Sequence, residues 1–368
     1  MLFLLILCFG TAFLATAILV RYARGHTERY GSAVPQRFHA GHVPRIGGVG
    51  MLAGCTAGWA WMLGSQWLNL GGPLPRSEFA TIGWLWAIAC VAVAAGTLED
   101  LTQRLAARYR LLLTVVAALL AVWLLDLSVP RLSLPALEGL WSATPWFGIA
   151  LAVLAVSGLP HAFNLIDGYN GLAGTVAVVC CFALAYVALQ VGDRQLAATV
   201  LVVAGASAGF LVWNYPRGLI FAGDGGAYLW GCVIAVVSVL LVMRHGQVSA
   251  WFPILLLVYP VWETMFSIYR KAVRGQSPGV ADALHFHQLI YRRIVRGVFD
   301  DDEARRMLMR NNRTSPYLWG FAFLTVVPAV MFWNNTAVLI AFAALFVVAY
   351  VWAYISIVRF KVPGWLRR

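Results

Sequence analysis

Residues 161–174 read HAFNLIDGYNGLAG. Asn164, Asp167 and Asn170 stand there between two apolar stretches, 144–160 and 172–191, each close to the length that crosses a bilayer. A carboxylate and two carboxamides at the mouth of such a segment are costly, so they are read first as functional groups. Outward from this stretch the pattern repeats along the chain, with apolar runs separated by short polar connections. It predicts an all-α polytopic membrane protein.

Composition points the same way. Of 368 residues, 61% are hydrophobic and 11% charged, with a mean hydropathy of +0.77. A soluble chain carries about 25% charged residues. About eleven transmembrane helices are predicted, near 2–20, 47–64, 79–96, 110–127, 144–160, 172–191, 197–213, 226–243, 251–269, 317–333 and 337–358. Pro253 and Pro260 are placed to break the ninth. No basic residue precedes the first run, whereas Arg21 and Arg24 follow it, so it reads as a retained helix rather than a cleaved signal peptide.

With the N-terminus outside, every Lys and Arg except Arg76, Arg131, Arg194 and Arg244 falls on the inner side. That is the positive-inside pattern, and it places the C-terminus in the cytoplasm. The net charge of +12 thus belongs to an inner face suited to anionic headgroups and phosphorylated substrates, not to nucleic acid. The six cysteines lie in apolar segments without metal or redox spacing and read as buried filler. There is no internal repeat, and residues 1–368 read as a single integral-membrane domain.

Four inner connections carry the unusual polar residues. GTLEDLTQRLAARYR (96–110) has Glu99 and Asp100, and the opening stretch has Asn164, Asp167 and Asn170. WNYPRGLIFAGDGGAYLWG (213–231) has Asn214 and Asp224, and YRKAVRGQSPGVADALHFHQLIYRR (269–293) has Asp282, His285 and His287. Each has a plain alternative: a solvated helix end for Glu99–Asp100, a helix-capping turn for residues 164–170, interfacial aromatics for the histidines. Asp224 resists one, because Gly223, Gly225 and Gly226 bare the backbone around it and let a phosphate or metal approach. Four connections bringing acids, amides and imidazoles to one face form the pattern of an assembled site.

Two other stretches are read structurally. Asp300, Asp301 and Asp302 in FDDDEARRMLMR precede a short helical run with a basic far end, and are read as capping rather than metal-binding. GGVGMLAG (47–54) opens a membrane helix with no preceding strand, so its glycines are read as helix packing and not as a dinucleotide loop.

Taken in order, these motifs resemble the polyprenyl-phosphate N-acetylhexosamine-1-phosphate transferases, the family that includes the muramoyl-pentapeptide transferase. HAGHVPRIGG, with His39, Arg45, Gly47 and Gly48, looks like H-x-x-x-T-P-R-x-G-G. LED stands at the Asp-Asp pair, and NLIDGYNGLAG resembles N-x-x-D-G-x-D-G-L-x-G. NYPRGLIFAGDGGAYLWG is similar to N-x-P-x-x-x-x-F-M-G-D-x-G-S-x-x-L-G. PVWETMFSIYRKAVRGQSP resembles P-x-x-D-T with a following R-G-x-S-P loop, and DALHFHQL resembles D-x-x-H-x-H-H-L. Glu99, Asn170, Ala227, Glu263 and Gln288 depart from the pattern, which suggests a divergent subfamily. The triple-His version of the muramoyl-pentapeptide enzymes is absent, which points away from that donor.

The resemblance implies ten or eleven helices in a bacterial inner (cytoplasmic) membrane, with the site facing the cytoplasm and a homodimer compatible. It implies transfer of a sugar-1-phosphate from a UDP-sugar to undecaprenyl or another polyprenyl phosphate, releasing UMP. That is the initiating step of a lipid-linked glycan such as an O-antigen. Mg²⁺, with Mn²⁺ as a substitute, is the implied cofactor, held by Asp224 with Asp100 assisting. Glu99, Asp100 and Asp167 are the implied catalytic acids. Asn164, Asn170, Asn214 and Asp282 would contact substrate, while Arg274, His285 and His287 would bind the donor diphosphate and Arg45, Arg108 and Arg110 the lipid phosphate. The rival reading, a transporter or flippase, requires polar groups at mid-membrane. Glu263 is the main residue that offers one.

Overall fold

The computed structural model describes residues 1–23, 43–67, 76–276, 284–295, 297–298 and 300–359. The described chain is 81% helix and, among the described residues, has no strand. Its helices are α1 (Leu2–Tyr22), α2 (Gly47–Trp67), α3 (Arg76–Thr102), α4 (Ala107–Leu125), α5 (Pro135–Ala143), α6 (Trp146–Ile166) and α7 (Leu172–Gln190). They continue with α8 (Arg194–Asn214), α9 (Gly223–Arg244), α10 (Trp251–Leu256), α11 (Val258–Val273), α12 (Phe286–Arg293), α13 (Glu303–Met331) and α14 (Thr336–Val358). Among the described residues, nine of these are long and apolar enough to cross a membrane. The chain is a multi-pass membrane protein, and every predicted span holds a helix.

Two of the predicted spans do not form a single long apolar helix of that kind. α2 sits where expected but is Gly-rich and less apolar. The ninth span is two helices, α10 and α11, broken at Leu257. Pro260 has no N–H to offer the Leu256 carbonyl, and the Cys180 thiol approaches that oxygen at 3.9 Å instead. Sequence reasoning also expects a short helix after Asp302 followed by a separate tenth span. The structure corrects this: α13 is one 29-residue helix running from Glu303 through Pro316 and Pro328. Asp302 caps its start, accepting hydrogen bonds from the backbone N–H groups of Ala304 and Arg305.

At the centre stands α9, buried along nearly its whole length, with Tyr228, Leu229 and Trp230 fully enclosed. α3 and α6 pack along it, and α1, α2 and α8 pack together beside them. Without water to satisfy backbone groups, close helix contact depends on small residues. Gly48 of α2 and Gly96 of α3 both abut the first turn of α9. A Cβ on Gly48 would strike the Gly225–Gly226 backbone, and one on Gly96 would strike Asp224 and Gly225. The glycines of GGVGMLAG therefore serve packing, as expected, and the packing brings α2 and α3 against the Asp224 turn.

Candidate active site

The turn before α9 is built by its neighbours. Phe221 donates its N–H to the Pro44 carbonyl at 2.8 Å, and Gly47 and Gly48 donate to Phe221 and Ala222 carbonyls at 2.9 Å. The segment bearing Arg45 is thus laced to the segment leading into Asp224. Gly223 has φ +71°, and a Cβ there would collide with the Arg45 carbonyl and the Asp100 carboxylate. Only glycine fits.

Asp100, at the end of α3, is 4% exposed and closes this turn. Its Oδ1 accepts the Asp224 N–H and its Oδ2 the Gly225 N–H, both at 2.9 Å. α9 has no capping side chain of its own. A carboxylate from another helix supplies one, which satisfies orphan amides and opposes the helix dipole. Asp224 Oδ2 in turn accepts from Arg110 Nη1 at 3.1 Å and from the Tyr228 hydroxyl at 3.3 Å. Among the described residues no hydrogen bond engages its Oδ1.

A cavity of about 280 Å³ opens beside this turn. Arg45, Asp100, Asn164, Asp167, Asp224, His285 and His287 all line it, so the structure brings together seven of the residues singled out in the sequence. Asp167 follows the last turn of α6 with its N–H bonded to the Phe163 and Asn164 carbonyls. Burial pushes its carboxyl up to about 7; Arg45 works against the shift and Asp224 adds to it. His285 and His287 stack in parallel, ring centroids 5.3 Å apart. Burial first, and then the neighbouring His285, pull His287 down to about 3, so it is a neutral imidazole that donates and accepts without charge.

Beneath the histidines lies Glu263, 0% exposed. Its Oε1 accepts the Phe286 N–H at 3.0 Å and lies 3.5 Å from His285 Nδ1, and its Oε2 accepts the Tyr350 hydroxyl at 2.5 Å. One buried carboxylate so ties α11, α12 and α14 together under the histidine pair.

The remaining sequence candidates stand elsewhere. Glu99 Oε2 accepts the Leu105 N–H at 2.7 Å and shapes the α3–α4 turn. Arg108 is exposed, its guanidinium 4.8 Å above the Tyr109 ring. Arg110 meets Asp224 from outside the cavity wall. Arg274 is exposed beyond the end of α11. Asn214 Oδ1 accepts the Gly171 N–H at 2.6 Å, and its Nδ2 donates to the Ile220 carbonyl at 2.8 Å. Asn170 donates its N–H to Asn311 Oδ1 and its Nδ2 to Asn312 Oδ1, at 2.8 and 3.1 Å. Neither Asn170 nor Asn214 is part of the cavity wall; both fasten the loops that form it. His39 and Asp282 lie outside the described residues.

Tyr169, Phe221, Gln288 and Asn311 line the cavity without having been singled out as site residues. For Asn311 the one signal was a pair of adjacent amides, Asn311–Asn312, inside an otherwise basic and apolar helical run.

No group of three His, Cys, Asp or Glu side chains among the described residues forms a metal cage. The donor set nevertheless fits one kind of cation. Asp100, Asp167 and Asp224 present carboxylate oxygens to one polar cavity. Mg²⁺ takes one or two carboxylates and completes its shell with water and substrate phosphates.

Comparison with known proteins is consistent with this arrangement. The sequence profile described as Glycosyl transferase family 4 matches residues 82–242. The chain is 30% identical over 253 residues to the probable undecaprenyl-phosphate N-acetylglucosaminyl 1-phosphate transferase of Bacillus subtilis, covering 68% of this chain and 66% of that protein, slightly under two thirds of its length. It is 30% identical over 232 residues to the phospho-N-acetylmuramoyl-pentapeptide-transferase of Moorella thermoacetica, covering 61% of this chain and 69% of that one. With the undecaprenyl-phosphate alpha-N-acetylglucosaminyl 1-phosphate transferase of Escherichia coli K12 the identity is 26% over 291 residues, covering 76% and 74%.

Proposed function

The chain belongs to glycosyl transferase family 4, and from that premise we propose that it moves a sugar-1-phosphate from a UDP-activated, N-acetylated hexosamine to undecaprenyl or another polyprenyl phosphate. The observation that carries this reading is the convergence of Arg45, Asp100, Asp167, Asp224 and the His285–His287 pair on one cavity at the end of a bundle of apolar helices. A water-soluble donor and a lipid acceptor can meet only at such a place. The reading puts the cavity on the cytoplasmic side of a bacterial inner membrane, where the product starts a lipid-linked glycan.

In the reaction, an oxygen of the acceptor phosphate forms a bond to the sugar-bearing phosphorus of the donor. The bond from that phosphorus to the bridging oxygen breaks, and UMP leaves with both electrons. Both reactants are anions, so their repulsion is the main obstacle. Asp224 would hold the divalent cation through its uncommitted Oδ1, with Asp167 beside it and Asp100 fixing the turn. Bound there, Mg²⁺ supplies charge neutralisation on phosphate oxygens. Arg45 adds a permanent positive charge on the cavity wall. Asn164 donates to and accepts from the donor's neutral groups, and the uncharged His287 offers hydrogen bonds without a charge that shifts with pH. Any proton left on the acceptor phosphate passes to the Asp167 carboxylate, which lines the same cavity.

Transport loses its main support in Glu263. That residue is 0% exposed and is spent on a backbone amide and a tyrosine hydroxyl. UMP release from membranes given Mg²⁺, polyprenyl phosphate and a panel of UDP-sugars tests the proposal. Asp224→Asn abolishes that release while the protein still inserts; normal turnover by the variant refutes the assignment.

A further inference from the structure

Asp224 has two sides. Its cavity side is polar. On the other side stands Arg110, in the first turn of α4 and outside the cavity wall. α4 turns Tyr109, Leu111, Leu112, Val116, Leu119 and Trp123 outward, each 42–76% exposed. In a membrane protein that is a lipid-facing surface, and residue 110 lies where such a helix enters the headgroup region. The Arg110 side chain is 30% exposed, against 14% for Asp224. Among the described residues it makes one hydrogen bond, from Nη1 to Asp224 Oδ2, out of the five N–H donors of a guanidinium.

The acceptor-phosphate contact that the resemblance implies for Arg110 is open on this lipid-facing side, and we propose that making it releases Asp224, so that acceptor and cation binding are coupled through the Arg110–Asp224 pair. This rests on the functional reading above and deepens it. A guanidinium gripping a phosphate through paired N–H groups makes stronger contacts than one bond to a carboxylate. The exchange leaves Asp224 oriented, because the Tyr228 hydroxyl still holds Oδ2. Tyr228 is itself backed by the His161 ring, centroids 5.3 Å apart, and His161 Nε2 is 3.0 Å from Thr114 Oγ1. With its counter-charge drawn away, Asp224 attracts a divalent cation more strongly. Acceptor and cation therefore bind with positive coupling, which linkage makes reciprocal. A carboxylate partly neutralised by arginine in the resting protein becomes a stronger cation ligand when the lipid is in place.

The test reads binding and needs no donor. The Mg²⁺ concentration at half-maximal thermal stabilisation is measured for the purified full chain, with and without a short-chain polyprenyl phosphate. In the wild type the acceptor lowers that midpoint by about fivefold or more. In Arg110→Gln the midpoint is already low and the acceptor does not move it, while the KM for the acceptor rises and that for the donor changes little. Arg110→Lys retains part of the coupling. A purely structural ion pair gives the opposite pattern: Arg110→Gln lowers melting temperature and leaves the Mg²⁺ midpoint and its coupling as in the wild type. That result overturns the proposal. So does equal coupling from the uncharged polyprenol, which would assign the effect to the chain, or from inorganic phosphate, which would assign it to a free-phosphate site. If the wild type releases no UMP with any UDP-sugar, the functional reading fails, and the coupling measurement stands apart from that outcome.

Discussion

Asp100 accepts the backbone N–H of Asp224 at 2.9 Å through one carboxylate oxygen, and holds the next amide of α9 through the other. The sequence suggests two acids sharing a task. In the structure one acid builds the turn that presents the other. Asp100→Asn turns a donor NH₂ toward an amide that needs an acceptor. Charged hydrogen bonds of this kind are worth about 1.5–3 kcal/mol each. Asp100→Asn should lower thermal stability by about that amount and reduce UMP release about 100-fold or more. Thermal unfolding in detergent beside an activity assay checks both, and a variant that loses activity with unchanged melting would separate Asp100 from the turn.

Glu263 carries the histidine pair from below. Glu263→Gln keeps the shape but loses the charge that Phe286 N–H, Tyr350 hydroxyl and His285 share. It should raise the donor KM about tenfold while the acceptor KM barely moves. Tyr350→Phe removes one of the three contacts and should cost about 1 kcal/mol of stability with little kinetic effect. Steady-state kinetics with each substrate varied in turn decides the matter.

Asp167 gives a stability signature in the absence of metal. Burial pushes its carboxyl up to about 7 in the folded protein, against an ordinary value of 3.8. Between those values the folded protein keeps a proton that the unfolded chain has released. Stability from this group therefore falls as pH rises through that window and is level above it. In EDTA the wild type should lose melting temperature between pH 5 and pH 8, relative to Asp167→Asn. Parallel curves for the two proteins would show that the folded and unfolded forms hold this proton equally.

The Asp300–Asp302 run separates capping from chemistry. Asp302→Ala should cost about 1 kcal/mol, the usual worth of an N-cap. Asp301→Ala, at an exposed position without a capping contact, should change neither stability nor turnover. A large loss of UMP release from Asp301→Ala would overturn the capping reading in favour of metal binding.

Helices that must cross lipid announce themselves in composition, and the predicted spans coincide with helices for that reason. The cavity-lining acids were legible too, because an acid beside a membrane segment is rare. What the sequence conceals is which polar residue faces the cavity and which fastens a loop. Asn164 and Asn170 look equivalent in NLIDGYN, yet one lines the wall and the other is bonded to α13. That choice depends on a helix 141 residues further on, and no local pattern encodes it. The same holds for Asn311, which joins the wall only because α13 is continuous from Glu303 and reaches across the loop.

Asn170 gives the sharpest test of this distinction, since the family pattern has Asp at its position. Its Nδ2 donates to Asn312 Oδ1, while Asn312 Nδ2 is committed to the Pro216 carbonyl at 2.6 Å. Asn312 cannot turn its amide round without losing that second bond. Asn170→Asp therefore sets two acceptor oxygens against each other in a site where residue 170 is 1% exposed. The expected cost is about 1–3 kcal/mol, the penalty for an unmet buried polar group. In an Asn312→Ala background the facing oxygen is gone, so the same change should cost clearly less. A double-mutant cycle read by thermal unfolding gives the interaction directly. If Asn170→Asp is neutral in stability and raises turnover instead, the residue belongs to the substrate and not to the latch.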